Sequence, residues 1–186
     1  MGITNGNDFI KRLNKLENEI WLDGQKITGP ISEHPAFKGI IKSKAALYDL
    51  QHKPTIKDDM TFPSPLSGDL VGTSYLQPKT KEDLLKRRKM MEHWARHTGG
   101  FMGRSPDYLN SALMSLASSA GFLEGKKHCF PNNLRALYEL ARENDLSFTH
   151  TFISPQVNRS QIYIENTPEP IAAKIIEEND KGIVIK

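Results

Sequence analysis

GGFMGRSPDY, at residues 99–108, is the segment that says most about the architecture of this chain. Its three glycines within five positions permit a tight loop that another molecule can approach closely. Ser105 followed by Pro106 is typical of the N-cap and the first residue of a helix. Arg104 and Tyr108 flank this helix start, where free N–H groups and the helix dipole favour negative charge. The segment therefore predicts a site for an anionic or phenolic ligand.

A second informative segment, THTFISPQVNRS, spans residues 149–160. His150 lies in a run rich in β-forming residues, and a compact polar cluster of Gln156, Asn158 and Arg159 follows it. Amide donors and acceptors beside a guanidinium group suit a flat heterocycle that carries carbonyls and phosphates. Taken alone, the same residues are more typical of a strand histidine with local hydrogen bonds and of a polar loop after Pro155.

In this order, and with their flanking residues, the two segments resemble the 4-hydroxyphenylacetate 3-monooxygenase family, the oxygenase components of two-component flavin systems. The resemblance covers essentially the whole chain, although full members are more than twice as long. It implies an α+β fold like that of acyl-CoA dehydrogenases: a helical N-terminal domain, a β-barrel domain and a C-terminal helical bundle that builds a homotetramer. We therefore expect a helical domain at residues 1–145, an incomplete β domain at 146–186, and no C-terminal bundle.

The resemblance also implies an activity. Family members hydroxylate 4-hydroxyphenylacetate, or a similar phenol, ortho to its hydroxyl to give a catechol. FAD arrives as FADH2 from a separate NADH-dependent flavin reductase, and O2 is the co-substrate. The alternative is a truncated, catalytically inactive fragment that acts at most as a binding or assembly module, since full members supply further flavin and substrate contacts beyond the length of this chain.

By the same resemblance, Arg104, Tyr108 and His150 are the expected catalytic residues. Arg104 would stabilise negative charge, Tyr108 would hydrogen-bond the phenol, and His150 would help to deprotonate it, because imidazole titrates near neutral pH. The substrate-binding residues implied are Arg104, Ser105, Pro106, Asp107, Tyr108 and His150. The flavin-binding residues implied are His150, Thr151, Phe152, Gln156, Val157, Asn158 and Arg159.

Composition excludes several other classes of protein. The 186 residues are 38% hydrophobic and 25% charged, which is ordinary for a globular domain. A net charge of +3 is too small to indicate a nucleic-acid partner. No segment has the length of a transmembrane helix and no apolar leader is visible, so we expect no membrane partner and a cytoplasmic location.

The single cysteine, Cys129, excludes an internal disulfide and is expected to be a small half-buried residue. Chlorophenol monooxygenases and 4-hydroxybutyryl-CoA dehydratases are relatives of the family with other chemistry. The dehydratases need several cysteines for an iron–sulfur cluster, which makes that activity improbable for this chain.

Two further motifs are weaker. The basic run at residues 86–89 is expected to be a solvated helix face, with an anionic partner site as the minor alternative. His93 and His97 have the spacing of two metal ligands on a helix, but no third ligand is evident, so no metal site is predicted.

Hydrophobic periodicity predicts five helices. Thr80 and Asp83 indicate a capping box that opens a helix running to residue 97. The other helices are expected from residue 7, with Leu16 and Ile20 on its apolar stripe; from 33 to 50; from 106 to 120, with Leu116 facing inward; and from 131, with Leu137 facing inward.

Strands are expected in fewer places. The Asp23-Gly24 pair predicts a hairpin within residues 20–27. Residues 53–78 are expected to form an irregular connector with a short strand near Leu70. The last strands are expected at 147–153, at 161–165 and in a hairpin within 172–186, against a competing helix at 171–178.

Overall fold

The structure is a computed structural model that describes residues 2–16, 18–100, 107–148, 175–180 and 182–185. It divides into two units, Met1–Phe148 and Thr149–Lys186. The described part of the first unit contains the helices α1 (Gly6–Asn14), α2 (Lys38–Leu50), α3 (Lys57–Met60), α4 (Lys81–Thr98), α5 (Asp107–Ser118) and α6 (Pro131–Glu143). Short 3-10 helices lie at Ile31–Glu33, Thr73–Tyr75 and Ala120–Leu123.

Three antiparallel pairs of strands accompany the helices. In the first unit, β1 (Trp21–Leu22) pairs with β2 (Gln25–Lys26), and β3 (Thr61–Pro63) pairs with β4 (Leu70–Gly72). In the second unit, β5 (Ile175–Asn179) pairs with β6 (Gly182–Ile185). The described strands thus form three two-stranded sheets and no closed barrel.

Local capping fixes where the helices begin. Thr80 and Asp83 form the predicted capping box at the start of α4. The side chain of Asn5 accepts a hydrogen bond from the Asp8 N–H and so caps α1. Helix α1 ends at Asn14, so the prediction that Leu16 and Ile20 continue its stripe was wrong.

Helix α2 begins five residues later than periodicity predicts, at Lys38. A proline disfavours helical backbone in the residue before it. His34, which precedes Pro35, accordingly has a ψ of 130° and separates the 3-10 turn Ile31–Glu33 from α2.

The predicted connector at residues 53–78 is more ordered than expected. The strand near Leu70 is confirmed, and it pairs with β3 in a register that sets Phe62 opposite Val71. Met60, Val71 and Tyr75 are fully buried, so this region supplies part of the core. Frequent prolines and glycines obscured the pattern, because three-residue elements are too short to establish a period.

The described residues of the first unit form three core clusters. Phe9 stacks on Tyr48, with ring centroids 4.8 Å apart, and so joins α1 to α2. A second cluster joins α2, α3 and α4; it contains Leu47, Leu50, Met60, Met90 and Trp94. A third joins α5, α6 and Tyr75; it contains Tyr75, Leu113, Met114, Ala117, Tyr138 and Ala141.

Two inward-facing predictions for these helices were wrong. Leu116 on α5 and Leu137 on α6 are exposed, because each lies beside the buried stripe of its helix rather than on it. Helix α5 ends at Ser118, before the predicted end at residue 120, and the chain continues as the 3-10 turn Ala120–Leu123.

The C-terminal hairpin confirms the strand prediction over the competing helix for residues 175–179. Residues 147–148 are described and are not in a strand. The rest of the predicted strand at 147–153, and the predicted strand at 161–165, lie outside the described residues. No helix in the part of the chain that the structure describes is long and apolar enough to cross a membrane.

Candidate functional site

Tyr108 lies in the first turn of α5 and is exposed. The structure does not describe the side chains of the other residues predicted for the site. Asp107 is the first residue of α5, but its side chain is not described. The other predicted site residues lie entirely outside the described residues: Arg104, Ser105, Pro106, His150, Thr151, Phe152, Gln156, Val157, Asn158 and Arg159. The structure does describe the helices and turns that precede the two predicted segments, residues 99–108 and 149–160.

The chain leaves α4 through two glycines in left-handed conformation. Gly99 has a φ of 61° and Gly100 a φ of 79°. The Gly100 N–H donates to the Ala95 carbonyl oxygen at 2.9 Å, which ends the helix. Side chains with a Cβ rarely adopt these angles, so the glycines permit the sharp exit that the sequence predicts.

Arg87 on α4 is buried, with only 7% of its surface exposed, and it hydrogen-bonds to several neighbouring segments. Its Nη1 donates to the carbonyl oxygens of residues in and after the Thr73–Tyr75 turn, at 3.0 Å (Thr73), 2.8 Å (Ser74) and 3.1 Å (Leu76). Its Nη2 donates to Ser111 Oγ on α5 at 2.5 Å. One guanidinium group therefore ties α4, α5 and this turn together.

The prediction of a solvated face at residues 86–89 was wrong for Arg87. A charge can be buried when several hydrogen bonds replace its hydration, and the carbonyls at the end of the Thr73–Tyr75 turn provide them. One signal was visible in the sequence. Arg87 occupies the same helical stripe as Met90 and Trp94, both buried, so it interrupts an apolar face.

Asn110 is the second polar anchor and is 2% exposed. Its Nδ2 donates to Ser74 Oγ at 3.1 Å. Its Oδ1, and Thr73 Oγ1 on the neighbouring turn, are buried and have no hydrogen-bond partner among the described residues. Buried polar atoms are normally paired, and each of these two atoms can still accept a hydrogen bond.

The same turn anchors the chain that leads to residue 149. The Tyr75 hydroxyl donates to the Leu146 carbonyl oxygen at 2.5 Å. The Tyr48 hydroxyl donates to the Asp145 carbonyl oxygen at 3.2 Å, and it forms a second hydrogen bond with the Ser147 hydroxyl at 3.0 Å. The Thr73–Tyr75 turn thus holds both the start of α5 and the approach to the second predicted segment.

Burial raises the pKa values of Asp145, Tyr48 and Tyr75, which hold the chain at residues 145–147. The Asp145 carboxylate is buried, which raises its pKa, while hydrogen bonds from the Thr4 N–H and Gln51 Nε2 act in the opposite direction. Burial, followed by the nearby Asp145 charge, raises the pKa of Tyr48 to about 12. The pKa of Tyr75 is raised for the same reasons. Both phenols are therefore neutral donors at physiological pH.

The remaining sequence candidates have structural roles. His93 Nε2 lies 2.9 Å from Asp59 Oδ2 and links α4 to α3. Cys129 is half-buried, as predicted. Among the described residues, no group of three or more histidine, cysteine, aspartate or glutamate side chains is arranged to hold a metal ion.

Comparison of the whole chain with solved structures defines its class. The oxygenase component of 4-hydroxyphenylacetate 3-monooxygenase, in a crystal structure with FAD and 4-hydroxyphenylacetate, matches 98% of this chain and 37% of its own, with a TM-score of 0.84 and 39% identity. An archaeal 4-hydroxybutyryl-CoA dehydratase from N. maritimus shares the fold alone, with a TM-score of 0.73 at 19% identity. The architecture is that of the N-terminal region of an oxygenase component of 4-hydroxyphenylacetate 3-monooxygenase.

Sequence comparison makes the assignment specific. The family model for the 4-hydroxyphenylacetate 3-hydroxylase N-terminal region matches residues 5–186, and the chain belongs to this family. A probable 4-hydroxyphenylacetate 3-monooxygenase from Bacillus subtilis (strain 168) is 61% identical over 185 residues, which is all of this chain and 38% of that relative. The oxygenase component from Thermus thermophilus is 40% identical over 182 residues, or 97% of this chain and 36% of that protein.

These findings confirm the resemblance drawn from residues 99–108 and 149–160. They also set its extent, because the chain spans little more than a third of the length of the curated relatives it matches.

Proposed function

We propose that this chain is the N-terminal part of a flavin-dependent monooxygenase that hydroxylates 4-hydroxyphenylacetate, or a similar phenol, ortho to its hydroxyl. The observation that carries the proposal is the match, over 98% of the chain, to an oxygenase component whose structure contains FAD and 4-hydroxyphenylacetate. The names of the Bacillus and Thermus relatives support the same substrate class.

Within this proposal, three residues act on the phenol. Tyr108, in the first turn of α5, hydrogen-bonds the phenol oxygen where the positive end of the helix dipole favours an anion. Arg104 adds a fixed positive charge that stabilises the phenolate, and His150 accepts the phenol proton. Ser105, Pro106 and Asp107 complete the substrate contacts.

The cofactor in this proposal is FAD, bound as FADH2, which activates O2 for transfer of one oxygen atom to the ring. The residues that would hold it are His150, Thr151, Phe152, Gln156, Val157, Asn158 and Arg159. Their amides and guanidinium match the carbonyls and phosphates of a flavin dinucleotide.

The wider assembly follows from the same proposal. The β5–β6 hairpin supports the view that residues 146–186 begin a β domain, which the family completes as a barrel followed by a helical bundle. A separate NADH-dependent reductase would deliver the reduced flavin. A homotetramer would require the bundle.

The second candidate function is a catalytically inactive fragment that serves at most as a binding or assembly module. The chain spans 38% of the Bacillus protein, and this candidate applies if the residues that these 186 positions provide do not bind flavin by themselves. In this case the purified chain folds but does not bind flavin.

A flavin titration separates the two candidates. Oxidised FAD, and reduced FAD under anaerobic conditions, are titrated into the purified chain and into Arg159→Ala, with Arg88→Ala on the exposed side of α4 as the matched control. Saturable binding that is lost only in Arg159→Ala supports the flavin site, and catechol formation with O2, a phenol and a flavin reductase would then establish the activity. A folded chain that does not bind FAD supports the inactive module.

A further inference from the structure

Two adjacent residues in the first half of α5, Asn110 and Ser111, are attached to the same neighbouring segment, the Thr73–Tyr75 turn. Asn110 Nδ2 donates directly to Ser74 Oγ at 3.1 Å. Ser111 Oγ accepts a hydrogen bond of 2.5 Å from Arg87 Nη2, and Arg87 Nη1 donates to the Ser74 carbonyl oxygen at 2.8 Å. Helix α5 is therefore attached to the turn twice, once directly and once through Arg87.

Two attachments at adjacent positions constrain a helix more than one does. Successive residues of an α-helix point about 100° apart and rise about 1.5 Å along the axis. A single hydrogen bond leaves a helix free to rotate about it, whereas a second bond from a residue that points in another direction removes this freedom. The bonds of Asn110 and Ser111 together set the rotation of α5 and its position along its own axis.

The Thr73–Tyr75 turn to which α5 is attached is itself held in place. Each of its three residues is at most 2% exposed. The Tyr138 hydroxyl donates to the Tyr75 carbonyl oxygen at 2.6 Å, and the Tyr75 hydroxyl donates to the Leu146 carbonyl oxygen at 2.5 Å. Because closely packed interiors transmit displacements rather than absorb them, this turn is a rigid reference for α5.

Tyr108 lies three residues before Ser111, so the two side chains share a face of α5. Tyr108 is 46% exposed, whereas Asn110 is 2% exposed, so the exposed phenol stands on a helix that is fixed from its buried side. In an active site, a misplacement of about 1 Å can cost about a hundredfold in rate. The attachments of α5 therefore matter to any ligand that the Tyr108 hydroxyl binds.

We propose that Ser111 is a positioning residue of the proposed phenol site: together with Arg87, it holds the first turn of α5 so that the Tyr108 hydroxyl meets the phenol oxygen. The inference rests on the proposed function and deepens it by naming a residue outside the predicted set. Ser111 acts through Tyr108 and not on the phenol itself. It is a better test position than Arg87, because Ser111 is only half-buried and Arg87 also holds the carbonyls of the turn.

Ser111→Ala tests the proposal in a fusion of this chain to the part of the Bacillus relative that lies outside the matched region, assayed for catechol formation with reduced FAD. The substitution should lower kcat/KM for 4-hydroxyphenylacetate about fivefold, because the Tyr108 hydroxyl is no longer held in one place. Ser111→Thr keeps a hydroxyl and should retain kcat/KM within about twofold. Ser115→Ala, one turn further along α5 and exposed, is the matched control and should leave it unchanged.

A second background shows whether Ser111 acts through Tyr108. Tyr108→Phe lacks the hydroxyl that Ser111 positions, so the further change Ser111→Ala should lower kcat/KM by less than about twofold in that background. A general loosening of the fold would lower kcat/KM by the same factor with and without the hydroxyl. Equal factors in the two backgrounds, or no loss from Ser111→Ala alone, would overturn the proposal.

A distance measurement on the isolated chain decides the matter if the fusion makes no catechol. Spin labels are attached at Tyr108→Cys and at the exposed position Arg88→Cys, with Cys129 replaced by serine, and their separation is measured by double electron–electron resonance. Ser111→Ala should broaden the distance distribution about twofold, whereas Ser115→Ala should leave it unchanged. An unchanged distribution in Ser111→Ala overturns the proposal. Broadening beside an inactive fusion supports the positioning role and counts against the proposed function.

Discussion

Arg87 Nη2 and Ser111 Oγ are 2.5 Å apart, and this hydrogen bond joins α4 to the first half of α5. The same guanidinium group also binds the carbonyls of the Thr73–Tyr75 turn. Both helices that flank residues 101–106 are therefore held by one buried cation, and the position of Tyr108 depends on it.

Replacement of Arg87 by methionine should destabilise the chain by about 3 kcal/mol, because several buried carbonyls lose their charged donor. The free energy of unfolding, measured by urea titration, checks this value. Arg88→Met, one residue along α4 and exposed, is the control and should change the stability by less than about 0.5 kcal/mol. Equal effects of the two substitutions would contradict the role given to Arg87.

Tyr108→Phe should separate ligand binding from stability. Because Tyr108 is exposed, its replacement should change the free energy of unfolding by less than about 0.5 kcal/mol. The affinity for 4-hydroxyphenylacetate is measured in a fusion of this chain to the part of the Bacillus relative that lies outside the matched region. If the Tyr108 hydroxyl binds the phenol, this affinity should fall roughly fivefold to tenfold, which corresponds to one lost hydrogen bond. An unchanged affinity would remove Tyr108 from the site.

Tyr48→Phe should alter the response to alkaline pH. The pKa of Tyr48 in the folded chain is raised to about 12, above that of a free phenol near 10. Stability from this group is therefore complete below pH 10 and is lost as the pH rises from 10 towards 12. Urea titrations at pH 8 and pH 10.5 should show a smaller loss for Tyr48→Phe than for the wild type.

The wild-type chain should nevertheless be the more stable of the two at pH 8, by about 1 kcal/mol, because it keeps the hydrogen bonds that the Tyr48 hydroxyl forms with the Asp145 carbonyl and the Ser147 hydroxyl. The Tyr75 phenol has the same direction of shift, so Tyr48→Phe should reduce the alkaline slope without removing it. Identical slopes for the variant and the wild type would show that Tyr48 titrates normally.

Gly6 and Gly39 differ in the space available for a side chain, so alanine substitutions at the two positions can be compared. A Cβ on Gly6 would lie 2.7 Å from both the Ala45 carbonyl oxygen and Asp49 Oδ2, whereas a Cβ on Gly39 would meet nothing within 4 Å. Gly6→Ala should therefore lower the stability by about 1–3 kcal/mol, since α1 is forced away from α2. Gly39→Ala should raise it by up to about 1 kcal/mol, since alanine favours the helix. Thermal unfolding of both variants measures the contrast.

The sequence predicted those features that depend on local pattern or on family motifs. Thr80 with Asp83, and Asp23 with Gly24, predicted the start of α4 and the β1–β2 hairpin, because capping and turn chemistry involve neighbouring residues. The two glycine-rich and polar segments predicted the family.

The framework of the site was not predicted. Arg87 and Asn110 are buried by partners on a turn at residues 73–76, and no periodicity in their own helices reveals such a partner. The turn itself was hidden within the apparent connector, since three-residue elements carry no period. The structure locates Tyr108, and the roles assigned to Arg104, His150 and the residues at 151–159 remain predictions.

The hydrogen bond from the Thr4 N–H to Asp145 Oδ2, at 2.9 Å, joins residues separated by 141 positions. Arg12 reaches across a similar interval, since its Nη1 donates to the Asn144 carbonyl oxygen at 2.8 Å. During synthesis, the amino-terminal segment leaves the ribosome long before these acceptors exist. The segment that contains α1 therefore gains these long-range partners only after residues 144 and 145, at the end of the first unit, have been translated.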